Sequence, residues 1–144
     1  MRPMRAFIVS AWILLMVTGL AKFITAFGSA HVLVYPEPIS GIKFRTVFFT
    51  VGLLELAIAF FCFFGKRVDI QTGVLVWLST IFVLYRLSLS WLGQKPCHCL
   101  GNLTEALHIP SHTADTVMKI VLAYILLGSY AVLFGLWRKR RKLE

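Results

Sequence analysis

The sequence predicts an all-α integral membrane protein, a single four-helix transmembrane bundle over residues 1–144 with both termini cytoplasmic. Three observations carry that expectation. Of the 144 residues, 58% are hydrophobic and only 15% charged, with a mean hydropathy of +0.80, a balance foreign to soluble domains. Four apolar runs each approach the roughly 20 residues needed to cross a hydrocarbon core about 30 Å thick. The basic residues gather in alternate connections, the pattern of the positive-inside rule.

The first run covers about Arg5–Phe27 and follows Arg2 and Arg5. Gly28 and Ala30 are small enough to mark signal-peptide cleavage. The run is nevertheless longer than a usual signal core and carries Lys22 near its end, so it reads as a retained span. The connection over residues 28–45 is semi-apolar, punctuated by Pro36 and Pro38, and reads as a short interfacial element with Tyr35 at the membrane surface. A second run, about Thr46–Gly65, stops before Lys66 and Arg67. The third, about Thr72–Leu92, lies between Gly73 and the Gly93/Pro96 punctuation. The fourth, about Ala114–Trp137, follows Pro110-Ser111-His112-Thr113, where Ser or Thr suits an N-cap and Asp115 suits the positive end of the helix dipole.

The formal charge of +9 is unevenly placed. Arg2, Arg5, Lys66, Arg67 and the closing RKRRK (Arg138 to Lys142) fall on one side, whereas residues 28–45 and 93–113 carry only Lys43, Arg45 and Lys95. The first set is therefore assigned to the cytoplasm, and both longer loops to the outer side of a bacterial inner (plasma) membrane. The basic tail then acts as a topology anchor that meets anionic membrane lipid, and no nucleic-acid partner is expected.

That topology puts the segment KPCHCLGNL, Lys95 to Leu103, in an extracytoplasmic, oxidising setting. Cys97 and Cys99 are separated only by His98. A bridge between them closes a very small ring, which adds little chain-entropy stabilisation and is readily reduced. The pair thus suits a dithiol that cycles, with Lys95 and His98 favouring the thiolate and Gly101 removing bulk beside it. A metal site is the alternative: Cys97, Cys99, His108 and His112 form C-x-C-x8-H-x3-H, with ligand types that zinc or copper accepts. Against it stand Pro110 between the histidines and a cysteine spacing tighter than C-x2-C, so no metal is favoured. A third reading is a structural small subunit in which the cysteines are incidental. Asn102-Leu103-Thr104 is a sequon of a kind common by chance. Cys62, within AFFCFFG, reads as a buried small hydrophobe.

Lys22, Glu55, Arg86 and Lys119 fall inside apolar runs, where charge costs several kcal/mol. At ~1.5 Å per residue, Lys22 lies near the outer end of its helix, Arg86 and Lys119 roughly 7–10 Å below the outer surface, and Glu55 near the midplane. Ion pairing accounts for such a cluster: Glu55 with Arg86 or Lys22 across helices, and Asp115 with Lys119 at i, i+4. As a functional site, the cations would favour a thiolate above them and hold an anionic or carbonyl-bearing group such as a quinone head. Tyr85, Trp91 and Tyr124 would supply flat walls.

Four apolar helices, Gly19-Leu20-Ala21-Lys22, the intramembrane Glu55 and Arg86, and CHCLG before the last helix make the chain resemble the DoxX/MauE-like redox-associated membrane proteins over nearly its whole length. The resemblance implies a four-helix bundle laid out like the core of vitamin K epoxide reductase, in which a cysteine pair at the start of the last helix exchanges electrons with quinone. It implies that Cys97 and Cys99 are the redox pair and that Lys22, Glu55 and Arg86 shape a quinone site, which Lys119 joins as a member of the same cation cluster. The chain departs from vitamin K epoxide reductase in having C-x-C rather than C-x-x-C and no second outer pair. Onward transfer is therefore expected to use a separate extracytoplasmic thiol protein, such as a thioredoxin-fold partner, and the expected function is membrane thiol–disulfide exchange.

Overall fold

A computed structural model describes residues 2–28, 31–34, 36, 39–93 and 110–141. These form four α-helices, α1 (Arg2–Phe27), α2 (Phe44–Phe64), α3 (Val68–Trp91) and α4 (Ser111–Arg141), with one 3-10 turn at His31–Val34. Each α-helix is long and apolar enough to cross a membrane, and the fold is the all-helical four-span architecture that the composition predicts.

The helices associate mainly as two neighbouring pairs, α1 with α2 and α3 with α4. Trp12 stacks on Phe63 at 4.9 Å between ring centroids, and Met4 lies under Gly135. The start of α1, the end of α4 and the α2–α3 turn therefore share one end of the bundle. Polar side chains point inward: Thr18, Lys22, Glu55, Gln71, Ser79 and Asp115 are all buried. Outward faces carry large apolar groups, with Val17, Ile24 and Leu127 62%, 65% and 69% exposed. Such an exterior is tolerable only against lipid, where apolar surface costs nothing and unpaired polar groups cost several kcal/mol. Ala11, Leu15, Ala59, Leu75, Leu78 and Ile125 contribute to a core that draws on all four helices.

Small residues set how closely α1 approaches α2. A Cβ added to Gly52 would stand 3.0 Å from the Phe23 backbone nitrogen and 3.1 Å from the Gly19 carbonyl oxygen. One added to Gly19 would stand 3.1 Å from Glu55 Cβ. Glycines at this crossing admit close backbone approach, the usual means by which membrane helices gain packing where lipid supplies no hydrophobic drive.

All four helix starts precede the sequence expectation, α1 beginning at Arg2 rather than about Arg5. The third helix begins at Val68, a turn ahead of Thr72, because Gln71 is needed there. Its buried amide Nε2 donates to the Cys62 and Gly65 carbonyls, each at 2.8 Å, satisfying acceptors that the end of α2 leaves without helical partners. Gly73 consequently lies inside α3 rather than at a boundary. The Lys43 carbonyl accepts from Thr46 and Val47 at 2.9 and 3.3 Å, so α2 starts at Phe44. The Pro110 carbonyl likewise accepts from Thr113 and Ala114 at 2.9 and 3.2 Å, so α4 starts at Ser111. Asp115 then falls in its second turn.

At the other end, α3 ends at Trp91, just before Gly93, whose φ of 64° is left-handed and costs glycine little. The first connection folds back on the helices that it joins. Leu33 in the 3-10 turn is buried with Ala26 and Phe48, and Pro36 pairs with Lys43 in an isolated antiparallel bridge. Tyr35, the expected interface residue, lies outside the described residues.

Candidate functional site

Lys22 is presented by α1 and Glu55 by α2, on faces that the Gly19–Gly52 crossing brings together. Lys22 Nζ donates to Glu55 Oε1 at 2.6 Å, and the two residues are 6% and 1% exposed. Of the two partners considered for Glu55 from the sequence, the structure selects Lys22. The ammonium also lies 5.6 Å from the centroid of the Phe82 ring on α3, close enough for attraction to its face. A second cluster joins α3 to α4. Arg86 Nη2 donates to Asp115 Oδ1, and Lys119 Nζ approaches Asp115 Oδ2 at 2.7 Å, one turn further along α4. The Lys119 side chain is 65% exposed, so the buried part of that cluster is the Arg86–Asp115 pair.

Between the helix pairs lies a cavity of about 210 Å³, with lining residues from all four helices. Lys22, Glu55, Tyr85 and Arg86 meet there, beside Thr18 and Phe82. An apolar cavity of ~150 Å³ accommodates benzene, so a substituted six-membered ring fits this one. Lys22 and Arg86 have more N–H donors than their carboxylate partners occupy, and Glu55 Oε2 is buried with no hydrogen-bond partner among the described residues. The site combines a greasy ring-sized space with both donors and an acceptor.

Electrostatically it is milder than three lone cations. Lys22, Arg86 and Lys119 face two carboxylates, which leaves one net positive charge in the cluster. Lys119 does not line the cavity. Of the three aromatic residues expected as walls, only Tyr85 does; Trp91 is 95% exposed, and the Tyr124 hydroxyl instead meets Ser10 Oγ at 2.7 Å. Phe82 takes a wall position that the sequence reading did not assign.

The role of Asp115 as the Arg86 counter-ion was also missed, although a signal for it exists. Arg86 is five residues before the end of α3 and Asp115 four after the start of α4. An antiparallel hairpin sets positions at similar distances from the connection side by side.

Cys97, Cys99 and His108 lie outside the described residues, in the connection between the helices that carry Arg86 and Asp115. His112, the remaining ligand of the alternative metal site, is exposed in the first turn of α4. Among the described residues, no three His, Cys, Asp or Glu side chains gather as a metal site. Cys62 is buried in the apolar core, as expected of a small hydrophobe. No family model, curated protein or solved structure matches this chain.

Proposed function

We propose that this protein is a bacterial inner-membrane thiol–disulfide oxidoreductase of DoxX/MauE-like type. Its Cys97/Cys99 pair exchanges electrons with an extracytoplasmic thiol protein, such as one of thioredoxin fold, and with a quinone in the intramembrane cavity. The observation that carries this reading is the ring-sized cavity between the four helices, lined by Lys22, Glu55, Tyr85 and Arg86. The connection that leaves α3 beyond Tyr85 and Arg86 is the one that contains the C-x-C pair. The positive-inside bias supports placing that connection outside and both chain ends in the cytoplasm.

In this reading a thiolate of one cysteine attacks a disulfide sulfur of the partner and expels one partner thiolate. The second cysteine then attacks the resulting mixed disulfide, so the Cys97–Cys99 bond forms, the partner bond breaks, and two electrons pass between them. The reverse sequence oxidises a partner dithiol. A quinone in the cavity supplies a two-electron, two-proton acceptor, and its quinol the matching donor. Lys22 and Arg86 orient the ring oxygens by donating hydrogen bonds, Tyr85 and Phe82 confine the ring, and the apolar walls exclude water. Arg86 and Lys119 together outweigh Asp115 by one positive charge, and that charge, near the end of α3 from which the cysteine connection departs, would favour thiolate.

The test uses the protein in lipid nanodiscs with a reduced thioredoxin-fold protein and a lipid-soluble quinone, with quinol formation followed by absorbance. Cys97→Ser and Cys99→Ser should each abolish turnover, and His108→Ala/His112→Ala should leave it within about twofold. Undiminished turnover in the cysteine variants would remove this reading. Loss of turnover in the histidine variant together with loss of a stoichiometric metal would favour the metal site.

A further inference from the structure

The buried acceptor in the cavity is unexplained by packing alone. Lys22 holds Glu55 Oε1 at 2.6 Å, which fixes the carboxylate, while Oε2 has no hydrogen-bond partner among the described residues. Thr18 stands on the same cavity wall, but its hydroxyl donates to the Leu14 carbonyl at 3.0 Å. The Thr18 hydroxyl, although near, makes no hydrogen bond to Oε2. A buried carboxylate oxygen left unpaired is costly, and native proteins rarely keep one without a use.

We infer that Glu55 makes the cavity selective for the hydroxyl form of an aromatic head group, accepting that hydroxyl's hydrogen bond at Oε2. This deepens the proposed function and rests on its reading of the cavity as a ligand site, but not on the cysteines. The chemistry follows from the free valences. A ketone or ether oxygen can accept from Lys22 or Arg86 but offers Oε2 nothing. A phenolic or quinol hydroxyl donates to Oε2 and still accepts from a neighbouring cation through its lone pairs. Lys22 is then a positioning residue, holding the carboxylate so that the second oxygen faces the ligand rather than a protein donor. In the proposed reaction Glu55 would favour the reduced ring over the oxidised one.

The test is equilibrium binding of para-hexylphenol and of its methyl ether, para-hexylanisole, to the full chain in nanodiscs. Empty nanodiscs of the same lipid correct for partitioning. The expected result is a preference for the phenol of about tenfold or more, the scale of a hydrogen bond to a charged group. Cys97→Ser/Cys99→Ser should keep that preference, and Lys22→Met/Glu55→Leu should remove it. Equal binding of the two probes by the wild type, or a preference that survives Lys22→Met/Glu55→Leu, would overturn the inference while leaving the cavity as a ligand site. Failure of both probes to bind would remove the ligand-site reading and this inference with it. An intact preference without thiol exchange would count against the redox reading alone.

Discussion

Replacing Lys22 with Met, or Glu55 with Leu, is expected to destabilise the bundle by about 3–5 kcal/mol, whereas the double replacement recovers most of the loss. Each single change leaves a charge in a water-poor interior. Lys22→Met should be the more damaging, because Glu55 is 1% exposed and near the midplane. In Glu55→Leu, the longer Lys22 stem can snorkel toward the nearby end of α1. The double variant substitutes apolar groups where the surroundings are already apolar. Thermal unfolding of the four proteins in one detergent, followed by tryptophan fluorescence, completes the cycle. A coupling near zero would mean that the pair does not hold α1 to α2.

Gly52→Leu is expected to destabilise the same crossing by a different route. Even the first added carbon would lie 3.0 Å from the Phe23 nitrogen and 3.1 Å from the Gly19 oxygen. Neither contact is with a flexible side chain that can swing aside. Overpacking typically costs about 1–3 kcal/mol, and here relief requires α1 and α2 to separate where Lys22 and Glu55 meet. Gly52→Leu should therefore lower the unfolding midpoint and also make Lys22 reactive toward a membrane-permeant amine reagent, read by mass spectrometry. By contrast, Gly73→Ala, in the interior of α3 with nothing within 4 Å of the added carbon, should be neutral or slightly stabilising. A Gly52→Leu protein as stable as wild type would mean that the close crossing does not set the site.

These two cases also mark what could be read without coordinates. Hydropathy alone located the four spans, because the bilayer imposes a length that few other constraints imitate. The cost of charge in lipid singled out Lys22, Glu55, Arg86 and Lys119; the first three line one cavity, and Lys119 does not. Their partners were harder to read. Choosing between Lys22 and Arg86 for Glu55 requires the rotation of each helix about its axis, which the Gly19–Gly52 contact fixes and apolar composition does not.

The start of α3 was misplaced for a related reason. Gly73 reads locally as punctuation, but the unsatisfied carbonyls of α2 recruit Gln71 into a helical turn before it. Asp115 resembled a dipole partner because its tertiary neighbour, Arg86, is 29 residues away. The thiol–disulfide chemistry proposed for Cys97 and Cys99 rests on their spacing in the sequence, because both lie outside the described residues.

The most direct test of the central claim is the redox state of Cys97 and Cys99 in purified, metal-free protein, poised across a glutathione or dithiothreitol series and read by thiol trapping with mass spectrometry. A reversible two-electron transition that forms the Cys97–Cys99 bond is the predicted result, and its midpoint, set against those of the thiol partner and the quinone, gives the direction of electron flow. Two thiols that never bridge at any poise, or that become accessible only after a chelator is added, would contradict it.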